Sequence, residues 1–542
     1  MLFRIPIFIY LFFFFASWGV ENWKKNDKNL VRISNIFILS LGLLYAIWYT
    51  FTFSNGIYMM NIYFSDQVYS GFVTTYSWTR SFCVTAILAM FYIFFDRDLA
   101  KDFKYLLVIF GAIFSMPFVG GNSGMELLLT VYLTFYTIIY CRTTQDQKSV
   151  HRTISSSVLT YILISFGFEY KELQWLCLLG LAVHLNFPPF ANRIYRIKTN
   201  ALNSQVMLLP ISLLFGLGFM LYIAESGIIT ANIKHILTGI SLVMILYGAF
   251  YAFFEQSTRK TVIYFAIFIA GFILNLFCVD EVNSAVLNSI NKIAGVGIFS
   301  YISLLIALKL TPIKDNFQDI ECNFATKAII TLAIVSLSIS PFVSCIYSRN
   351  YIIGNMNLVN QAIQITVAIM VFYFLVKIAQ IKQSSGVIPR EYGIINEYLP
   401  LAYIFFGVVV SIFDSLGIGI FGIYPQMAYN YSIFSNIVLS FIGSLLSFMV
   451  VRSVMDFSLK HVSHNALDLF FIRCVNSIIA IYDMSILYAH WAITTILESI
   501  KHDLGNVFAR VVHKNQGKKV KSHPVLHLII ILSLCIAVKI FS

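Results

Sequence analysis

Apolar runs recur along almost the whole chain, each closed by a short stretch of polar and basic residues. Crossing a bilayer takes about 20 apolar residues in a helix. By that measure the pattern predicts spans near 1–20, 33–53, 77–95, 105–121, 124–141, 153–168, 174–190, 206–224, 236–254, 261–279, 288–308, 325–347, 358–376, 399–423, 432–451 and 525–541. A β-barrel would instead show short strands of alternating hydrophobicity. The expected fold class is therefore all-α, a polytopic transmembrane helical bundle. The first run, with Arg4 ahead of it and Lys24, Lys25 and Lys28 after it, lacks a small-residue cleavage pattern and reads as a retained span. Residues 466–512 are helical in pattern but carry a polar stripe of Arg473, Asn476, Asp483, His490, Thr494, Glu498 and Lys501. Such a stripe suits a helix lying along the cytoplasmic membrane surface, with a small cytosolic helical hairpin as the alternative.

Composition agrees with a bilayer as the solvent. Of 542 residues, 59% are hydrophobic and only 11% charged, against roughly 25% charged in a soluble domain. A globular cytosolic or secreted enzyme is excluded. The net charge of +12 sits in loops, where it sets topology, so no nucleic-acid partner is implied. Basic residues crowd the odd-numbered loops (Arg97, Lys101, Lys104; Arg142, Lys148, Arg152; Arg193, Arg196, Lys198) and thin out in the even ones. The positive-inside rule then puts odd loops in the cytoplasm and the N-terminus outside, in a bacterial inner (plasma) membrane. The eight cysteines form no C-x-x-C pair and lie mostly in apolar runs. No disulfide framework, metal site or cofactor is expected from them.

A charge at the centre of a membrane helix costs roughly 2.5–3.5 kcal/mol on insertion scales, so each such residue is a functional candidate. Glu126 opens the fifth run after a Gly-Gly-Asn-Ser-Gly stretch. His184 lies inside the seventh, ahead of Pro188 and Pro189, which would break the helix and free backbone carbonyls for water. A histidine beside a hydrated break can titrate near neutrality. A second interruption occurs at Pro341, followed by Arg349; paired broken helices are a sequence pointer to transporter ion sites. Lys292 would lie about 14 Å along a helix beginning near Asn283. Lys377 reads as a lysine snorkelling at a helix end. Asp414 fits either a helix partner or a proton site, and Arg259 and Lys260 are secondary candidates. The string Gly417-Ile-Gly419-Ile-Phe-Gly422 matches G-x-G-x-x-G, but no strand–helix unit surrounds it, and it reads as helix packing. No motif for bond-making chemistry is present.

These strings, in this order, resemble the proton-translocating membrane subunits shared by respiratory complex I and the multisubunit (Mrp-type) cation/proton antiporters. Gly180-Leu-Ala-Val-His184-Leu-Asn-Phe-Pro-Pro189-Phe resembles that family's seventh-helix string, G-[LF]-A-x-K-x-x-x-x-P-[FLH], with His184 at the usual lysine. Glu126 is similar to its fifth-helix glutamate. Asn288-Ser-Ile-Asn-Lys292 resembles H-A-x-x-K without the histidine, and Gln256-Ser-Thr-Arg259-Lys260-Thr-Val-Ile-Tyr264 resembles D-x-K-R-x-x-A-Y. Ile339-Ser-Pro341-Phe-Val-Ser-Cys-Ile-Tyr-Ser348-Arg349 is similar to I-P-P-x-x-G-F-x-x-K, with Ser348 at the lysine. Gly422-Ile-Tyr-Pro425-Gln426-Met-Ala-Tyr429 resembles the G-x-x-P-Q-x-x-Y string of antiporter D-type subunits.

The resemblance implies N-terminal spans over 1–104 and an antiporter-like core over 105–451, made of two inverted five-helix repeats with broken helices. An interfacial helix and basic tail over 452–522 and a last span over 523–542 would follow. It also implies a proton path through Glu126, His184, Lys292 and Arg349, and exchange of H⁺ against Na⁺ or K⁺ by a membrane hetero-oligomer. The alternatives are a proton-pumping subunit of NADH:quinone oxidoreductase and a scaffold that kept the fold but lost the relay. Two departures favour the scaffold: the family's eighth-helix lysine or histidine falls at Gly216, and Ser348 stands at the lysine of the second broken helix. Histidine for lysine at 184 keeps a titratable group but lowers the reference pKa from about 10.4 to about 6.5.

Overall fold

The computed structural model describes residues 6–23, 28–53, 60–64, 67–72, 78–94, 102–143, 147–187, 208–254, 258–309 and 352–379, with a few single positions and residue pairs besides. The described chain is a bundle of helices: α1 (Pro6–Trp23), α2 (Lys28–Phe53), α3 (Thr79–Phe94), α4 (Phe103–Ser115), α5 (Asn122–Thr143), α6 (Gln147–Glu169), α7 (Trp175–His184), α8 (Leu209–Glu225), α9 (Ala231–Phe254), α10 (Thr258–Leu276), α11 (Ser284–Lys309) and α12 (Leu358–Ala379). The extended exceptions are an antiparallel hairpin, Met60–Phe64 with Gln67–Phe72, and a two-residue parallel pair, Glu321–Cys322 with Lys382–Gln383. The all-α expectation therefore holds.

Five windows within these helices are long and apolar enough to cross a membrane: Ile33–Thr52, Asn122–Arg142, Ala231–Ala252, Thr258–Leu276 and Ser284–Ile302. Burial sorts the helices into layers. Every residue of α10 but Lys260 is buried, and α8 is buried along its length up to Glu225. By contrast, α1 and α2 leave Phe12, Phe15, Ile33, Phe37, Leu44 and Phe51 exposed, and α9 leaves Ile236, Val243, Leu246 and Phe250 on one face. An apolar belt of this kind around a buried centre is the arrangement that hydrocarbon stabilises.

Lipid is as apolar as leucine, so helices associate in it through close packing and interhelical hydrogen bonds. The pairing of α9 with α10 uses the first device: a Cβ added at Gly248 would meet the Phe268 backbone nitrogen at 2.5 Å, and one at Gly271 would meet Met244 Cβ at 2.7 Å. The junction of α9, α10 and α12 uses the second. There Gln364 Nε2 donates to Asn275 Oδ1 (2.6 Å), Asn275 Nδ2 to Asn360 Oδ1 (3.0 Å), and Thr238 Oγ1 to Asn360 Oδ1 (3.2 Å).

Loop contacts show the alternation of the chain directly. At one end, Lys104 at the start of α4 pairs with Glu21 of α1, and Arg142 at the end of α5 pairs with Asp102 ahead of α4 (2.6 Å). At the other end, Tyr76 Oη donates to the Val119 carbonyl, Tyr222 Oη to Asn122 Oδ1, Lys234 Nζ to the Asp280 carbonyl, and Asp280 N to the Asn355 carbonyl. Among the described residues, the α1–α2, α3–α4 and α5–α6 connections thus lie at one end, and the α2–α3, α4–α5, α8–α9 and α10–α11 connections at the other.

Candidate functional site

The described part of the site forms where α5, α7 and α8 meet. Helix α7 has ten residues, about 15 Å, half the thickness of a hydrocarbon core. It stops at His184 because Asn186 takes a left-handed conformation (φ 63°). Phe187 N then donates to the Ala182 carbonyl (2.8 Å) and Asn186 N to the Val183 carbonyl (3.3 Å). This paired closure is a Schellman cap, with asparagine in the position glycine usually takes. The helix therefore ends before Pro188, closed by the Asn186 cap; Pro188 and Pro189 themselves lie outside the described residues.

His184 is fully buried. Its Nε2 lies 2.9 Å from Tyr132 Oη, and its ring meets those of Tyr132, Tyr136 and Phe215 edge-on, at 5.3, 5.3 and 5.5 Å between centroids. Tyr132 is itself stacked on Phe215 at 3.8 Å, with 12° between the planes. The imidazole thus sits in an aromatic cage with one phenolic hydroxyl against it. That hydroxyl can give a proton to Nε2 or accept one from it, depending on the tautomer.

Glu126 lies at the start of the second turn of α5 and is 6% exposed. Its carboxylate is within electrostatic reach of Cys177 on α7 and Tyr222 on α8. Six residues separate Glu126 from Tyr132 along α5, about 9 Å of rise, and seven separate Cys177 from His184 along α7, about 10.5 Å. Glu126 and His184 therefore differ in depth by about two helical turns. Phe215, Phe219 and Tyr222 of α8 span that interval as an aromatic column. Along the helix axes Glu126 and His184 stand at least about 9 Å apart, a separation at which two unit charges would interact by at most about 1.8 kcal/mol at an effective dielectric of about 20.

Toward the opposite face the column continues as Tyr132, Tyr136 and Tyr140, one turn apart on α5. Tyr136 lies within electrostatic reach of Tyr301 on α11, and Tyr140 within reach of Arg259, which is buried at the start of α10. Lys260 beside it is exposed. Sequence reasoning named His184 and Arg259 but missed these tyrosines. Their four-residue spacing was the available signal. Lys292 stands half-buried on α11. Pro341, Ser348, Arg349 and Asp414, and everything from residue 384 onward, lie outside the described residues.

Gly216 has a packing reason to be glycine. A Cβ there would meet Leu185 Cδ2 at 3.1 Å and Cδ1 at 3.2 Å, so α8 lies against the α7 cap where the family's ionisable residue would stand.

No family model matches the chain, and no curated protein matches it. Solved structures do match in fold. A chain of respiratory complex I from Thermus thermophilus with bound Aureothin superposes at TM-score 0.59 and 10% identity, covering 76% of this chain and 98% of that one. A chain of the membrane-bound sulfane sulfur reductase, an archaeal respiratory membrane complex, gives 0.61 and 13%, covering 76% and 94%. A chain of the Mrp complex from Dietzia sp. DQ12-45-1b gives 0.61 and 11%, covering 76% and 95%. At these identities the likeness is one of fold: that of antiporter-like membrane subunits of large respiratory and Mrp complexes.

Proposed function

We propose that this chain is a proton-conducting subunit of a multisubunit monovalent cation (Na⁺ or K⁺)/proton antiporter in the bacterial inner membrane, with its N-terminus outside. The observation that carries the reading is His184. It is a titratable ring at the end of a half-length helix, in hydrogen-bond contact with Tyr132 and at the head of a tyrosine column leading to Arg259. In this reading protons come from the basic, cytoplasmic face along Tyr140 and Tyr136, each hydroxyl passing a proton to the next through water, and reach His184. Glu126, two turns away, favours the imidazolium through the field between them. The proton then passes to Lys292 and leaves near Arg349.

Coupling to a cation needs the other subunits, so the chain alone is expected to be inactive. The test is proton uptake driven by a Na⁺ or K⁺ gradient in inverted vesicles holding the assembled complex. His184→Ala and Glu126→Ala are expected to abolish it; full retention would remove both residues from the path.

Two other readings have specific support. The fold likeness extends equally to respiratory complexes, which favours a redox-driven proton pump; co-purification with redox subunits in place of small antiporter subunits decides that. Gly216 packed against Leu185 favours a scaffold, for which the His184→Ala complex would assemble and transport normally.

A further inference from the structure

The first turn of α3, the end of α8 and the early turns of α11 bring together polar groups that the His184 site does not use. Asn288, Asn291 and Lys292 occupy one face of α11, three and four residues apart. Asn288 is 3% exposed and Asn291 1%. Ser81 Oγ on α3 lies 3.1 Å from Asn288 Oδ1 and 2.9 Å from the Trp78 carbonyl. A hydroxyl has one proton, so it can serve only one of these acceptors fully.

Neither orientation of the Asn288 amide resolves the problem. As placed, Nδ2 has no hydrogen-bond partner; turned over, Nδ2 would reach Ser81 and leave Oδ1 bare. Asn291 Oδ1 and Arg80 Nε are also buried without a partner, while the Arg80 guanidinium lies 5.1 Å over the Phe51 ring. At the end of α8 the exposed Glu225 carboxylate lies against the Trp78 indole N–H without a direct hydrogen bond.

Leucine at 288 and 291 would pack such a junction with no polar atom to satisfy. Buried amide groups that the protein leaves unpaired are the usual partners of internal water. Their depths run in series. Glu225 marks the face where the even-numbered connections lie, Arg80 and Ser81 stand in the first turn of α3, Asn288 is about 6 Å into α11, and Lys292 is about 12 Å into it.

We propose that α3, α8 and α11 enclose a narrow hydrated passage, lined by Ser81, Asn288 and Asn291, through which Lys292 exchanges protons with solvent at the Glu225 face. Its role in transport rests on the proton-path reading of Lys292, but the presence of water does not. The passage gives Lys292 its own connection to that face, on helices separate from the segment that carries Arg349.

The experiment labels single-cysteine substitutions Asn288→Cys and Asn291→Cys, in the assembled complex in membranes, with methyl methanethiosulfonate. This reagent attacks the thiolate, which forms where water is present. Peptide mass spectrometry reads modification at each position, apart from the native cysteines. Ile290→Cys, fully buried on the same helix, is the dry control. Positions 288 and 291 are expected to react at least about tenfold faster than 290; equal rates would overturn the passage. If Asn288→Cys fails to assemble, Ser81→Cys reads the same junction from α3. Fast labelling in a complex that moves no protons would keep the passage and remove the transport reading. Glu225→Gln is expected to slow proton uptake several-fold, and unchanged uptake would overturn the Glu225 end of the route.

Discussion

His184 and Lys292 are both ionisable residues within membrane helices, yet their surroundings are opposite in kind. Three aromatic rings and the Tyr132 hydroxyl lie against His184. Lys292 belongs to a face lined with amides, two of whose buried atoms lack protein partners. In the proposed path, a proton at the first place would pass through a defined partner, each hydroxyl handing over in turn. At the second it would pass through water, because amides hold solvent but do not themselves titrate. The contrast teaches that an ionisable residue's position in a helix tells less than the chemistry of the neighbours that helix packing supplies.

Four substitutions break or sharpen this contrast, in descending order of expected effect. Lys292→Ala removes the only titratable member of the α11 face (Asn288, Asn291, Lys292) and is expected to reduce gradient-driven proton uptake in vesicles to background. Glu126→Gln leaves size and hydrogen bonding nearly unchanged and deletes a charge two turns from His184. A coupling of at most about 1.8 kcal/mol corresponds to a loss of up to about twentyfold in uptake rate. A rate equal to wild type would show that no field reaches the imidazole. Tyr132→Phe keeps the stack on Phe215 and deletes the hydroxyl. Losing one hydrogen bond of about 1 kcal/mol predicts about a fivefold slower uptake and a small drop in thermal stability of the purified complex. An aromatic cage that serves packing alone would show the stability change without the rate change.

The smallest effects belong to the packing residues. Asn275→Leu, which cuts the α9–α10–α12 amide junction, is expected to lower stability by about 0.6–1.7 kcal/mol with proton uptake preserved in the complex that remains folded. Thermal unfolding followed by circular dichroism reads this, and a loss of transport in fully folded complex would give the junction a further role.

The helices themselves were legible because hydrocarbon imposes a length and a composition. The run at 124–141 is α5 at Asn122–Thr143, and the run at 261–279 is α10 at Thr258–Leu276. The described connections fall at the two ends of the bundle, with Lys104 and Arg142 at one of them. Where local turn chemistry decides, the reading was less exact. The run at 105–121 is an α-helix only to Ser115, after which Met116–Phe118 tightens into a 3₁₀ turn around Pro117. Near His184 the left-handed Asn186 ends the helix, and an asparagine two residues ahead of a proline pair was the overlooked cue; Pro188 and Pro189 lie outside the described residues.

His184 stood out from sequence because an ionisable group in an apolar run is costly and therefore conspicuous. Tyr132 did not, since tyrosine is common in membrane helices and its partner lies 52 residues away. The amide face of α11 escaped for a related reason: Asn288 and Asn291 were noticed only as flanks of a lysine string. Their meaning depends on Ser81, which packing of α3 against α11 brings from 207 residues away.

The central claim is that the group at position 184 itself carries the proton. Replacing it with lysine tests this most directly, because lysine can still reach the Tyr132 hydroxyl while its reference pKa is about 10.4 against about 6.5 for histidine. Proton uptake by the assembled His184→Lys complex, measured against pH, is predicted to persist to distinctly more alkaline pH than in wild type. A lysine complex that transports with the wild-type pH profile would contradict the account.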